Sequence, residues 1–305
     1  MKEKWTTENI GDLSGKNAIV SGSNSGIGYE AAKELAGKNA RVIIACRNRD
    51  KGEKASLLVR EEYPEASVEV RELDLGSLQS IKDFSEAYLK ENNSLDLLIN
   101  NAGVMMPPYG KTRDGFELQF GTNHLGHFAL TAQLMKMIKA TAGSRVVNVS
   151  SGGHRFGKMD FDNLLFEDGK DYSPMKAYGR SKLSNLLFTY ELERQFESSG
   201  IKAIAVASHP GGSRTNLDRH VKGKIWFKLI WPIFRLMTMS QALGALPQIR
   251  ASVDGEVKGG QYYGPHRNMT GYPVVVKSNQ ASHSMADARK LWEMSEELTG
   301  ISFDF

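Results

Sequence analysis

Six short runs of apolar and β-branched residues punctuate the chain: NAIVS (17–21), RVIIAC (41–46), SVEVREL (67–73), LDLLIN (95–100), SRVVNVS (144–150) and IKAIAVAS (201–208). Such near-continuous runs are the pattern of strands buried on both faces, and helix-length stretches separate them. Strand alternating with helix predicts βαβ units, and so a parallel sheet between two helical layers with ligands bound beyond the carboxyl ends of the strands. The expected fold class is α/β, a doubly wound parallel sheet of Rossmann-like type, as a single domain over residues 1–305. No linker, low-complexity tract or repeat beyond the βα alternation divides it. The rhythm breaks between residues 216 and 260, a stretch expected to be an inserted helical segment.

Composition narrows the class. With 305 residues, 40% hydrophobic and 24% charged, the chain reads as an ordinary soluble globular protein. The net charge of +4 comes from 39 basic and 35 acidic residues spread along the sequence, which argues against nucleic acid as a partner. The one cysteine, Cys46, excludes an intramolecular disulfide and fits a reducing compartment. MKEKWTTENIGDLSGK at the start lacks the apolar core of a signal peptide, and no charge-free run approaches membrane-spanning length. A cytoplasmic protein is expected.

Candidate chemistry lies where the predicted strands end. SGSNSGIG follows the first strand directly. Gly22, Gly26 and Gly28 permit a tight turn and close approach of a ligand, and the next helix offers unpaired N–H groups to a pyrophosphate. Ser23, Asn24 and Ile27 complete this cradle. Its spacing is G-x-x-x-G-x-G rather than the common G-x-G-x-x-G, and glycines in such a turn can also serve packing alone. After the second strand, where an acidic residue often binds the adenosine ribose, stand Cys46, Arg47 and Asn48. An uncharged residue beside a guanidinium accepts a 2′-phosphate that a carboxylate would repel, so the expected cofactor is NADP(H). Arg47 can equally be one more surface arginine, and Arg49 is the nearest basic residue able to replace it.

KAYGRSKLSN places Tyr178 and Lys182 one helical turn apart. A lysine lying along a half-buried tyrosine has that spacing, and so has an acid/base pair in which the ammonium lowers the phenol's pKa. Other stretches bear on the choice: Asp74 and Leu75 end the third strand, Asn100 to Gly103 (NNAG) the fourth, Asn123 lies in NHLGHF, Ser150 and Ser151 end the fifth, and HPGGSRT (209–215) ends the sixth. In this order, from about Gly15 to Thr215, they resemble the short-chain dehydrogenase/reductase family. The resemblance implies that Tyr178 exchanges the proton of the substrate oxygen, that Ser151 holds that oxygen, and that Lys182 lowers the tyrosine's pKa and binds the nicotinamide ribose. Asn123 would position a water leading from Lys182 to solvent. Asp74 and Leu75 would meet the adenine, Asn101, Ala102 and Gly103 would line the cofactor floor, and Pro210, Gly211 and Thr215 would flank the nicotinamide. The implied partner is a small-molecule carbonyl or alcohol.

Ser151 and Tyr178 stand 27 positions apart, and the intervening FDNLLFEDGKDYSPMKAY, with ACRN and HPGGSRTNL, is similar to the retinol-dehydrogenase-like branch. That branch favours NADPH and a bulky apolar carbonyl. Trp226, Leu229, Ile230, Ile233, Phe234 and Met237 form one apolar stripe at helical spacing. It fits a core-facing helix, a helix on a membrane surface, or a lid over the substrate, and the family resemblance favours the lid. No metal is expected: His124 and His127 lie three apart, but further ligands are lacking and packing explains them. His154 either lines the substrate site or is an ordinary loop histidine. Ser151, His209 and an Asp could form a hydrolase triad on paper, but the G-x-S-x-G elbow is absent at this serine. A non-catalytic NADP(H) sensor would lose the acid/base set present here. A lyase or epimerase would use the cofactor without net oxidation.

Overall fold

The structure, a computed structural model, describes residues 4–212 and 238–305. Eight strands form one sheet in the order β3-β2-β1-β4-β5-β6-β7-β8. They are β1 (Asn17–Ser21), β2 (Arg41–Cys46), β3 (Val68–Glu72), β4 (Leu97–Asn100), β5 (Arg145–Val149), β6 (Ile204–Ser208), β7 (Tyr262–Pro265) and β8 (Pro273–Val275). All neighbours pair in parallel except β7 and β8. The helices are α1 (Gly26–Ala36), α2 (Arg49–Glu62), α3 (Leu78–Glu91), α4 (Leu118–Phe120), α5 (Gly126–Gln133), α6 (Met135–Ala140), α7 (Pro174–Ser198), α8 (Gln241–Val253) and α9 (Met285–Thr299). The doubly wound α/β class is therefore the observed one.

The continuous apolar strands resolve into two cores with a period of two. Ala18 and Val20 of β1 and Val42 and Ile44 of β2 join Leu35 of α1, Val59 of α2 and Ile249 of α8 on one face. Ile19, Ile43 and Ala45 turn to the other face, against Phe84 of α3, Phe128 of α5 and Phe188 of α7. With both faces covered, every residue of such a strand can be apolar, which is why the runs do not alternate.

Of the stretch expected as an insertion, residues 216–237 lie outside the described residues, and with them the stripe from Trp226 to Met237. Gln241–Val253 forms α8, whose Gln248 Nε2 donates to the Ile27 carbonyl at 2.8 Å and which packs into the α1 side of the core. On the opposite side α9 and the residues after it close over α5 and α7. Trp292 and Phe303 are 4.5 Å apart between ring centroids, and Phe303 is 5.0 Å from Phe128.

Candidate active site

Strand order reverses between β1 and β4, and the crevice beyond their ends receives the glycine turn. Gly22 and Gly26 have φ of 67° and 66°, conformations that favour glycine. A Cβ at Gly22 would meet Ala102 at 2.9 Å, and one at Gly28 would meet Asn101 Nδ2 at 2.4 Å. The glycines thus serve packing against the β4 loop as well as the turn. Ser23 Oγ donates to the Val20 carbonyl at 2.6 Å. Ile27 buries its side chain in the core, leaving its N–H as the group it can offer, and Asn24 is half-buried in the turn. Helices α2, α3, α8 and α9 all open on a side chain that accepts an N–H of the first turn. Ser25 makes no such bond for α1, so the first N–H groups of that helix remain available to an anion. The turn fits a dinucleotide pyrophosphate on this ground.

At the end of β2 the thiol of Cys46 is buried, while Arg47 and Asn48 are exposed. Asn48 Oδ1 caps α2 by accepting from the Lys51 N–H at 2.9 Å. Arg49 Nε lies 3.5 Å from Glu53, whereas Arg47 has no ion-pair partner among the described residues. Asp74 Oδ1 accepts from the Gly76 N–H at 3.0 Å, and Leu75 is buried with its carbonyl 2.4 Å from where a Cβ of Gly126 would lie. Across the sixth strand's end, Gly211 has φ of 63° and follows the half-buried Pro210. Thr215 lies outside the described residues.

The acid/base candidates converge between β5 and α7. Tyr178 is buried, and a Cβ at Gly153 would press on its ring at 2.9 Å from Cε1. Burial raises the Tyr178 pKa above the ordinary phenol value, and a hydrogen bond with Ser151 offsets part of the rise. Ser151 Oγ also accepts from the Gly153 N–H at 3.1 Å. Lys182 Nζ donates to the Val149 carbonyl at 3.0 Å and sits 5.9 Å from the Tyr178 ring centroid. Burial pulls its pKa down to about 8. The expected lowering of the phenol by this ammonium is therefore not what the structure gives: desolvation governs both groups, and the lysine's charge is itself penalised.

Asn123 lies in a π-helical turn, Gly121–Leu125, a feature frequent at functional sites. Its Oδ1 accepts from the Val104 N–H at 2.8 Å, and its Nδ2 donates to Ser181 Oγ, beside Lys182, at 2.9 Å. A Cβ at Gly103 would lie 3.1 Å from Asn123 Oδ1 and 3.6 Å from Lys182 Nζ. The NNAG loop, the π turn and the lysine thus meet.

The short chain dehydrogenase family profile matches residues 16–163. Retinol dehydrogenase 12 of Mus musculus is 41% identical over 98% of this chain and 90% of its own length, and that of Homo sapiens 42% over 96% and 89%. The chain belongs to the short-chain dehydrogenase/reductase family, in its retinol-dehydrogenase-like branch. A solved Mycobacterium paratuberculosis protein, 36% identical, superposes with a TM-score of 0.83 over 99% of this chain and 100% of that one.

Within this family member the remaining candidates take structural places. His154 Nδ1 bonds the Ser151 carbonyl at 2.6 Å and its Nε2 accepts from the Asn279 N–H at 3.3 Å, so both ring nitrogens are used. His209 Nδ1 accepts from the Gly211 N–H at 3.2 Å, and its Nε2 abuts Gly264. It does not address Ser151. His124 and His127 face different partners, Ser295 and Ser21 respectively. Among the described residues no three His, Cys, Asp or Glu side chains converge as metal ligands. Among the described residues no helix is long and apolar enough to cross a membrane. Gly153 and Ser181 are not among the expected site residues, and His127, expected only to pack, bonds Ser21 and the Asn123 carbonyl. The G-G after Ser151 was a readable signal for the first, while the other two contacts depend on the π turn, which has no sequence pattern.

Proposed function

We propose that this enzyme is NADP(H)-dependent and moves a hydride between the nicotinamide and a bulky apolar aldehyde or ketone, or the corresponding alcohol. The observation that carries the reading is the convergence of Ser151 and the buried Tyr178 on one point beside Gly153 at the strand ends, with Lys182 buried beside the Tyr178 ring. A bound nicotinamide supplies or accepts the hydride. Ser151 and Tyr178 place two hydroxyls where a carbonyl oxygen gains negative charge, and such donors stabilise it as it forms. A phenol whose pKa is raised holds its proton near neutral pH, which suits it to donate in the direction of reduction. Lys182 and Asn123 hold the far side, and Gly103 lets the NNAG loop pack closely against both. Arg47, exposed and unpaired among the described residues, suits a 2′-phosphate. The apolar substrate class is supported by relatives named for retinol. The single cysteine suits a cytoplasmic enzyme.

The test is a screen of aldehydes and ketones of graded size against NADPH and NADH. NADPH consumption that favours large apolar carbonyls, lowered at least about 10²-fold in Tyr178→Phe with NADPH affinity retained, supports the reading. Wild-type turnover in that variant removes Tyr178 from the mechanism, and no oxidation of either cofactor by any carbonyl removes the reading.

A further inference from the structure

His127 is fully buried and bridges two parts of the site that are distant in sequence. Its Nδ1 is 3.0 Å from the carbonyl of Asn123, and its Nε2 is 2.8 Å from Ser21 Oγ. Ser21 Oγ in turn accepts the N–H groups of Asn101 at 2.9 Å and Ala102 at 3.0 Å. The hydrogens can be assigned by counting. A carbonyl only accepts, so His127 Nδ1 carries a hydrogen. Both lone pairs of the Ser21 hydroxyl are taken by backbone N–H groups, so only its proton is left to offer; the Ile99 carbonyl lies 3.4 Å away and His127 Nε2 2.8 Å, and the proton goes to the nearer acceptor. Nε2 is then the acceptor, and each group in the chain is satisfied once.

We propose that His127 is a positioning residue for the reaction, a neutral imidazole that locks the glycine turn and NNAG loop to the π turn carrying Asn123. This rests on the proposed oxidoreductase reading. Toward the cofactor, the link fixes the residue before Gly22 and the two amides before Gly103. Toward the proton path, it holds the Asn123 backbone, while the Asn123 side chain reaches Ser181 beside Lys182. Burial keeps the imidazole neutral, with its pKa down to about 3. Deleting either half of the bridge therefore loosens a different half of the site.

Two variants separate the halves. Asn places an amide nitrogen near the position of Nδ1 and nothing at Nε2; Gln reaches the Nε2 position and leaves the Asn123 carbonyl without its donor. His127→Gln is expected to lower kcat about tenfold more than it weakens NADPH binding, measured by nicotinamide fluorescence, and His127→Asn to show the reverse. Ser21→Ala combined with His127→Asn should weaken NADPH no more than Ser21→Ala alone. Nitrogen-15 spectra of the cofactor-free wild type should show His127 as the Nδ1–H tautomer at neutral pH. An Nε2–H tautomer overturns the proposal, as does a parallel loss of kcat, affinity and thermal stability in both variants. A wild type without carbonyl turnover instead sinks the oxidoreductase reading, and the affinity and tautomer measurements still judge the bridge.

Discussion

At the scale of single residues, close contacts around Tyr178 and the desolvation of Lys182 make the sharpest predictions. A methyl group at Gly153 would overlap the Tyr178 ring edge, and displacing a reacting group by a fraction of an ångström is costly. Gly153→Ala is expected to lower kcat at least about tenfold with only a small fall in Tm, since its backbone needs no positive φ; unchanged kcat would show that the ring has room. Lys182 has a folded pKa of about 8 against 10.5 when free. For a base lowered in this way the penalty is full below about 8, and it is relieved as pH rises toward 10.5, because the unfolded chain then binds more protons. Lys182→Met, which abolishes the proposed catalysis, should therefore be more stable than wild type at neutral pH, by on the order of a few kcal/mol. That advantage should shrink in chemical denaturation run at rising pH; a constant difference would mean the lysine is not desolvated. Arg47→Ala should raise the KM for NADPH far more than for NADH, and an unchanged ratio excludes Arg47 from cofactor choice.

At the scale of elements, what could be read in the sequence follows from what each element buries. Strands β1, β2, β4, β5 and β6 were legible because both faces are covered and their runs are mainly apolar, whereas β3, VEVRE, showed through its β-branched alternation at the sheet edge. Strands β7 and β8 were not: YYGP has two tyrosines and ends in glycine and proline, it is in register with β6 over only Ala207 and Ser208, and β8 has 3 residues. Helix α8 falls inside the expected insertion because Pro247 lies within it and the apolar stretch before it, residues 225–237, has helical spacing and gives no strand signal to resume the βα rhythm. Gly22, Ser151, Tyr178 and Lys182 were legible because each sits just after a strand or one turn apart. The His127 bridge was not, because its partner Ser21 is 106 positions away. The cover formed by α9 has its own test: Phe303 contacts Trp292, Phe128, Phe188 and Phe305, so Phe303→Ala should cost about 2 kcal/mol in urea unfolding. Unchanged stability would mean that the segment is not docked in solution.

For the whole molecule, buried imidazoles set the response to acid. His124, His127 and His209 each drop from 6.5 to about 3 through burial. A base with a depressed folded pKa contributes stability above 6.5 that is lost as pH falls, because only the unfolded chain takes up the proton. Glu117 and Glu193, raised by burial, oppose this nearer the carboxylate range. Below about pH 6.5 the unfolding free energy should therefore fall by roughly 1.4 kcal/mol per pH unit for each of these histidines. In His124→Phe the slope should lose one proton. A flat profile would show that the rings are hydrated.

The seam between β1 and β4 also has a consequence in time. Ser21 meets Asn101 across 80 positions and His127 across 106, and such contacts form only after long loops have closed. Local helices can appear while the chain still has no seat for a dinucleotide. On dilution from denaturant, ellipticity should recover before nicotinamide fluorescence does, and a chain arrested between the two events would carry most of its secondary structure yet bind nothing.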